Sequence, residues 1–322
     1  MAAAAPRTRL WLTGLLVVLG AGWGITQPLA KIAVSTGYGH FGLIFWQFVV
    51  GVVVLGAVTL VRGKRLPCGP KQLRLYVIIA VIGTLLPNSA SFAAIVHLPS
   101  GITSILLSLV PMLAFPIALA LGLDRFSLKR IAGLSFGLGG VALIVLPGSA
   151  LPDAAMLVWV PVALFAPLFY ALEGNVVAKW GTYGVDAVQV LLGASLVGVV
   201  LALPFTLLSG QWIDPRPPWG AADAALVASA TIHGIVYSCY VWLVGRAGPV
   251  FAAQVSYLVT GFGLFWAMLI LGERYSGPVW AATALMMVGL FLVTPRANSS
   301  LASKPDAPHS KAAAPPPPAA GQ

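Results

Sequence analysis

The chain alternates long apolar stretches with short polar punctuation. Apolar runs cover residues 10–32, 39–61, 75–96, 101–122, 130–147, 155–177, 187–208, 222–244, 250–271 and 277–295. A helix needs roughly 20 apolar residues to cross a bilayer core, so the pattern predicts ten membrane spans. Inside lipid only helices and closed barrels satisfy their own backbone groups. These runs are too long and too uniformly apolar for barrel strands, whose lipid-facing and lumen-facing residues alternate. The fold class expected is therefore an all-α polytopic membrane protein. The fifth and tenth runs are short enough to be tilted or partly re-entrant. At the start, Arg7 and Arg9 precede an apolar run in the manner of a secretion signal. Nine more spans follow, so we read an uncleaved first helix behind a short cytoplasmic segment, residues 1–9.

Composition agrees with the pattern. Of 322 residues, 59% are hydrophobic and 8% charged, with a mean hydropathy of +0.95. Soluble domains carry about 25% charged residues, so no charged shell is available here. A net charge of +10 would suggest a nucleic-acid partner in a soluble protein, but its distribution argues otherwise. With the N-terminus placed in the cytoplasm, inner segments hold 15 of the 18 Lys and Arg residues. Outer loops keep Arg216 and Arg274, and Lys31 falls near the outer end of the first span. Sorting by membrane side is the positive-inside bias, which places both termini in the cytoplasm and leaves no nucleic-acid partner. From residue 296 to 322 the chain turns to Ala, Pro, Ser and Lys, a composition expected of a disordered cytoplasmic tail. Cys68 and Cys239 make neither a disulfide framework nor a metal site.

The chain also resembles itself at a shift of 149 residues. Leu109-Val110 falls on Leu258-Val259, Asp124-Arg125-Phe126-Ser127 on Glu273-Arg274-Tyr275-Ser276, and Gly140 on Gly289. The copies, residues 10–147 and 155–295, hold five spans each. Five is odd, so the second copy must enter the membrane upside down. Two inverted repeats around a midplane cavity are an architecture of secondary transporters.

On these residues a family likeness rests. Gly22-Trp23-Gly24 through Lys31, and Leu271-Gly272-Glu273-Arg274 followed by Gly289, resemble the EamA-type branch of the drug/metabolite transporter superfamily. The resemblance implies ten helices, both termini inside, and transport of small metabolites, often outward. Two departures stand out. Gln47 stands where many members carry an arginine, which removes an anion contact. The first acidic motif has an extra residue, Gly122-Leu123-Asp124 against Gly272-Glu273.

Three catalytic signatures are lacking: there is no HExxH, P-loop or CxxC. Gly37 to Gly42 spells GxGxxG but joins two spans, where a dinucleotide fold would need a preceding strand. No catalytic residue, cofactor or metal is expected. Glu173 is the one acid well inside a span, where a charge costs about 2.5–3.5 kcal/mol on insertion scales. It is a candidate proton-coupling group, unless it lies near the interface or pairs with Lys179. His233, at the centre of the eighth span, is a second proton or solute candidate. Asn88 falls on Tyr237 in the repeat register, and Gln47, Gln254 and Tyr257 add neutral hydrogen-bonding groups to the expected solute path. Trp23 joins them because Gly20, Gly22 and Gly24 allow close approach. Lys31 is a path or gate candidate or a snorkelling cation. Trp46, Trp159, Trp242 and Trp266 are expected mostly at lipid, and Pro28, Pro87, Pro111, Pro116, Pro161 and Pro167 are candidate hinges or polar surfaces facing the cavity.

Together these features indicate a secondary transporter of a small polar or amphipathic, amino-acid-like solute. It is expected in a bacterial inner membrane, as a monomer or homodimer, driven most simply by protons. The alternatives are a membrane-embedded enzyme or sensor, and a channel, which would show pore-lining rings or filter loops.

Overall fold

Three proline-bearing spans fold as broken helices. A proline has no N–H to give to the carbonyl four residues back, and its ring crowds that carbonyl. In a computed structural model that describes residues 6–146, 151, 153–247 and 249–293, the first span is α1 (Pro6–Gly24) and α2 (Thr26–Val34), divided just before Pro28. The second is α3 (His40–Val61). The third is α4 (Pro70–Ala80), one π-helical turn (Val81–Leu85) and α5 (Leu86–His97), the π turn lying directly ahead of Pro87. The fourth is α6 (Ser100–Leu107) and α7 (Val110–Ala120), divided ahead of Pro111.

The remaining spans are α8 (Leu128–Val145), α9 (Trp159–Trp180, entered through a 3-10 turn), α10 (Ala187–Leu208) and α11 (Ala221–Ala247). A short α12 (Pro249–Ala252) precedes α13 (Val255–Leu271), and α14 (Gly277–Val293) follows. The described residues contain helices and no strand. Eight spans are long and apolar enough to cross a membrane, and α13 and α14 are shorter apolar helices. The ninth expected span, 250–271, is interrupted where α12 meets α13. The short fifth and tenth spans are single continuous helices packed on each other. The expected tail, 296–322, the last residues of the tenth run and most of segment 1–9 lie outside the described residues.

The packing follows the repeat. α3 packs on α10 and α8 on α14, each pairing a span with its own counterpart. α5 packs on α9 as α11 packs on α1 and α2, and α9 on α7 as α1 on α13. Small residues set the closest approaches. A Cβ on Gly133 would stand 2.7 Å from the Gly289 carbonyl oxygen, and one on Gly289 2.6 Å from that of Gly133. Gly24 meets Phe262 and Gly263 in the same manner, at 2.8 and 2.9 Å. Without a hydrophobic force between helices in lipid, such contact of backbones is what joins them.

Several tryptophans turn inward instead of toward lipid, because each finds a partner there. Trp46 donates to the Ile213 carbonyl and Trp266 to that of Ala21, both at 3.0 Å, and the Trp159 ring stacks on His97 at 3.9 Å. Trp242 remains exposed.

Candidate functional site

The polar residues gather where the broken spans cross. Asn88, on the first turns of α5, donates from Nδ2 to Gln47 Oε1 on α3 at 2.8 Å. Its own Oδ1 accepts from the Tyr170 hydroxyl of α9 at 2.6 Å. This chain of three side chains ties the second, third and sixth spans together. Tyr170 was the member the sequence did not single out. The only available signal was its place one turn before Glu173.

Glu173 lies deep within the bundle, against the π turn of the third span. A Cβ on Gly83 would stand 2.6 Å from its carboxyl carbon and Oε1 and 2.9 Å from Oε2, so any larger residue there would displace the carboxylate from this position. Pro87 lies four residues after Gly83 and removes the donor that would bond the Gly83 carbonyl in an α-helix. The π turn and the space for Glu173 thus arise at one place. Tyr170 and Tyr237 lie within electrostatic reach of the carboxylate. Among the described residues none donates a hydrogen bond to it, and the salt bridge to Lys179 is not formed. Lys179 instead points Nζ at the Leu121 carbonyl, 3.5 Å away.

Across from this face stand the aromatic rings of the first and eighth spans. The Trp23 ring lies 6.2 Å from His233, 6.4 Å from Tyr237 and 5.2 Å from Tyr240, and His233 stacks on Tyr237 at 6.3 Å. The Trp23 indole N–H is buried and has no acceptor among the described residues. His233 lies deep in the protein yet is exposed, so its ring borders an open space. The structure therefore brings Gln47, Asn88 and Glu173 to one group, and Trp23, His233 and Tyr237 to another, with Tyr237 within electrostatic reach of Glu173.

Three candidates lie elsewhere. Gln254 is exposed at the break before α13. Tyr257 packs against the core formed around Leu109, Met112 and Leu264. Lys31 is at one end of the bundle, where Nζ donates to the carbonyls of Ile95, Val96 and Leu98 at 2.6, 3.0 and 3.1 Å. Beside it Glu273, between α13 and α14, accepts from the backbone N–H groups of Ser100 at 2.7 Å and Gly101 at 3.1 Å, and from the Tyr275 hydroxyl at 2.5 Å. A carboxylate there satisfies orphan donors of the first turn of α6. Burial first, and then the bond to Glu273, raise the Tyr275 pKa well above its ordinary value, so the phenol stays protonated. Asp124, the repeat counterpart, is instead paired with Arg130 and the Arg125 N–H. Its extra preceding residue and Pro249, which lacks an N–H and stands where the repeat register puts Ser100, both oppose the same bond.

A bundle of broken spans built twice over, with a polar and aromatic centre, defines a multi-pass membrane protein of transporter type. The family model described as "EamA-like transporter family" matches residues 10–146 and again 157–294; the chain belongs to that family, within the drug/metabolite transporters. It is 24% identical over 294 residues to "Uncharacterized inner membrane transporter YedA" of Escherichia coli K12, covering 89% of this chain and 92% of that one. It is also 24% identical over 312 residues to "WAT1-related protein At5g47470" of Arabidopsis thaliana, covering 88% and 85%. Likeness at 23% over 305 residues extends to "Probable terminal-alkyne amino-acid exporter" of Streptantibioticus cattleyicolor, covering 89% and 93%. A solved crystal structure, 18% identical, shares the fold with a TM-score of 0.61, covering 90% of this chain and 97% of its own.

Proposed function

We propose that the protein carries a small amphipathic solute bearing a cationic amine outward across a cell's inner membrane, by alternating access and in exchange for protons. The observation that carries this reading is the Glu173 carboxylate, deep in the bundle, without a donor among the described residues and within electrostatic reach of Tyr237 beside Trp23. An unpaired buried charge is costly, and a bound ammonium group or a proton each relieves that cost. Aromatic faces add attraction for a cation of roughly 0.5–2 kcal/mol. Competition between amine and proton for one carboxylate is then the coupling. Gln47, where an arginine would favour an anion, fits the same preference. The similarity to an amino-acid exporter supports an amine-bearing solute, and the 15-to-2 sorting of basic residues supports cytoplasmic termini.

The test is transport in proteoliposomes with an imposed pH gradient, using phenethylamine, phenylalanine and phenylpropionate as probes. Saturable, gradient-driven uptake of the amine above that of the carboxylate is the expected result. Non-saturating flux would indicate a channel and a new chemical product an enzyme. Preference for phenylpropionate would overturn the assignment of Glu173 as the solute's partner.

A further inference from the structure

The two ends of the bundle are not equivalent, although the repeat makes their parts so. At the Lys31 end α2 packs against α5, α6 and α11, and the polar clamp of Lys31 and Glu273 lies across the joint. The counterpart of α2 is the last part of α9. Among the described residues it packs less closely on α4, α11 and α12, with Val177 against the core around Tyr76 and Ile79, although α9 does pack on α7. One end is therefore closed and the other open. With the termini inside, the open end faces the cytoplasm.

Lys31 closes its end by giving its ammonium donors to the carbonyls of Ile95 and Val96, which have no partner within α5, and to that of Leu98 just past the helix end. A cation there also meets the negative end of the helix dipole. The shift of 149 carries Ile95, Val96 and Leu98 onto Val244, Gly245 and Ala247, the last residues of α11. The corresponding lysine is Lys179, one position before the strict counterpart of Lys31. Val244 and Ala247 turn their side chains to the core around Leu12, Leu16 and Val255, but a Cβ added at Gly245 would find no described atom within 4 Å. Lys179 meanwhile rests on Leu121, at the end of α7. The shift places Leu121 on Ile270, next to Leu271 at the end of α13, and Leu271 lines with Lys31 a groove of about 420 Å³.

Each lysine thus has two helix ends within its half of the pattern. Lys31 has the end of α5, which it occupies, and the end of α13 across the groove. Lys179 has the end of α7, which it occupies, and the end of α11, which is open. We propose that Lys31 and Lys179 are alternating latches, positioning residues that hold one end of the carrier shut while the other is free. This rests on the transport reading above. In the opposite state Lys179 caps Val244, Gly245 and Ala247, and Lys31 leaves α5 for the end of α13. The Glu273 clamp has no partner at the other end, because Pro249 offers no N–H, so the two states are held by unequal contacts.

The experiment uses the full chain with Cys68 and Cys239 replaced by serine, carrying spin-label pairs at Ser35 and Val96 or at Ala178 and Gly245. Lys31→Gln should lengthen the first distance and shorten the second, changing the ratio of states by about tenfold or more, since hydrogen bonds to a charged group are at stake. Adding Lys179→Gln to that variant should reverse the shift. Unchanged distances in Lys31→Gln, or no reversal by the second substitution, would overturn the latches. Lys179 is exposed, so its single variant provides an arm independent of folding at Lys31. Lys179→Gln should slow solute exchange while leaving amine affinity from the open side unchanged, and Lys179→Arg should restore the rate. Exchange at the parental rate in Lys179→Gln also rejects the proposal. A parental protein that moves no solute rejects the transport reading instead, and the distance measurements still decide the latches.

Discussion

At the residue scale, Glu173 and Gly83 form one unit: the acid has a place because the residue opposite has no side chain. Glu173→Gln keeps the shape and fixes the neutral state. If Glu173 holds both the amine and the proton, this variant should lose amine exchange and pH-driven accumulation together while its yield and melting temperature stay at the parental level. A packing role predicts lower yield and a lower melting temperature instead. Transport in proteoliposomes, measured beside yield and melting in detergent, separates the two. His233, exposed beside Trp23, becomes the coupling group if the Gln variant still accumulates solute. Of the candidate site, Glu173 and His233 were legible because a polar group mid-span is conspicuous. Tyr170 was not, since a tyrosine in an apolar run reads equally as a belt residue. Its bond to Asn88 depends on two helices meeting.

At the element scale, small residues and caps decide how spans meet. Gly133→Ala inserts a methyl 2.7 Å from both the Gly289 carbonyl oxygen and Val293 Cγ2. Moving α8 away from α14 should cost about 1–3 kcal/mol, the usual range for overpacking. Gly139→Ala, which meets no atom within 4 Å, should leave the melting temperature in detergent unchanged while Gly133→Ala lowers it. Asp186 caps α10 in a reciprocal box with Gln189 and also pairs with Arg62 at 3.1 Å and Lys64 at 2.5 Å. Burial works to raise its pKa, but the Lys64 bond, the Gln189 N–H and Arg62 outweigh it, and the net shift is downward from 3.8. A depressed folded pKa contributes stability that is present above the unfolded value and is lost as pH falls through the folded one. Thermal stability should therefore decline below about pH 4, and Asp186→Asn, which keeps a good cap, should flatten that decline.

At the scale of the whole molecule, the question is which way the open end faces. The proposed orientation puts the loop holding Cys68 on the cytoplasmic side, together with Asp186 and the open end. Cys68 is exposed, so accessibility depends on sidedness alone. A membrane-impermeant thiol reagent should leave Cys68 unlabelled in intact cells and label it after lysis. Labelling of intact cells at Cys68 would reverse the orientation and make this the outward-open state, with the latches exchanged in sense but not in mechanism.

The ten apolar runs, their lengths and their duplication were legible without coordinates, because lipid demands continuous apolar helices and a span announces itself locally. The close approach at Gly24 was legible too, since small residues at helical spacing have few other uses in a membrane. What tertiary structure alone decided is which polar groups meet. The sequence register made Asn88 and Tyr237 equivalent positions of the two copies, but not that Asn88 bonds Gln47 and Tyr170 while the Tyr237 ring lies near Trp23. Lys31 and Glu273 could be named as a cation and a motif acid, but their work is to cap backbone groups of α5 and α6, and backbone carries no sequence signal. The inequality of the two ends is likewise invisible in a duplicated sequence. It arises in the packing, where α2 meets α5, α6 and α11 while the last part of α9 packs less closely on their counterparts among the described residues, a choice of contacts that two copies of one hydrophobic pattern do not fix.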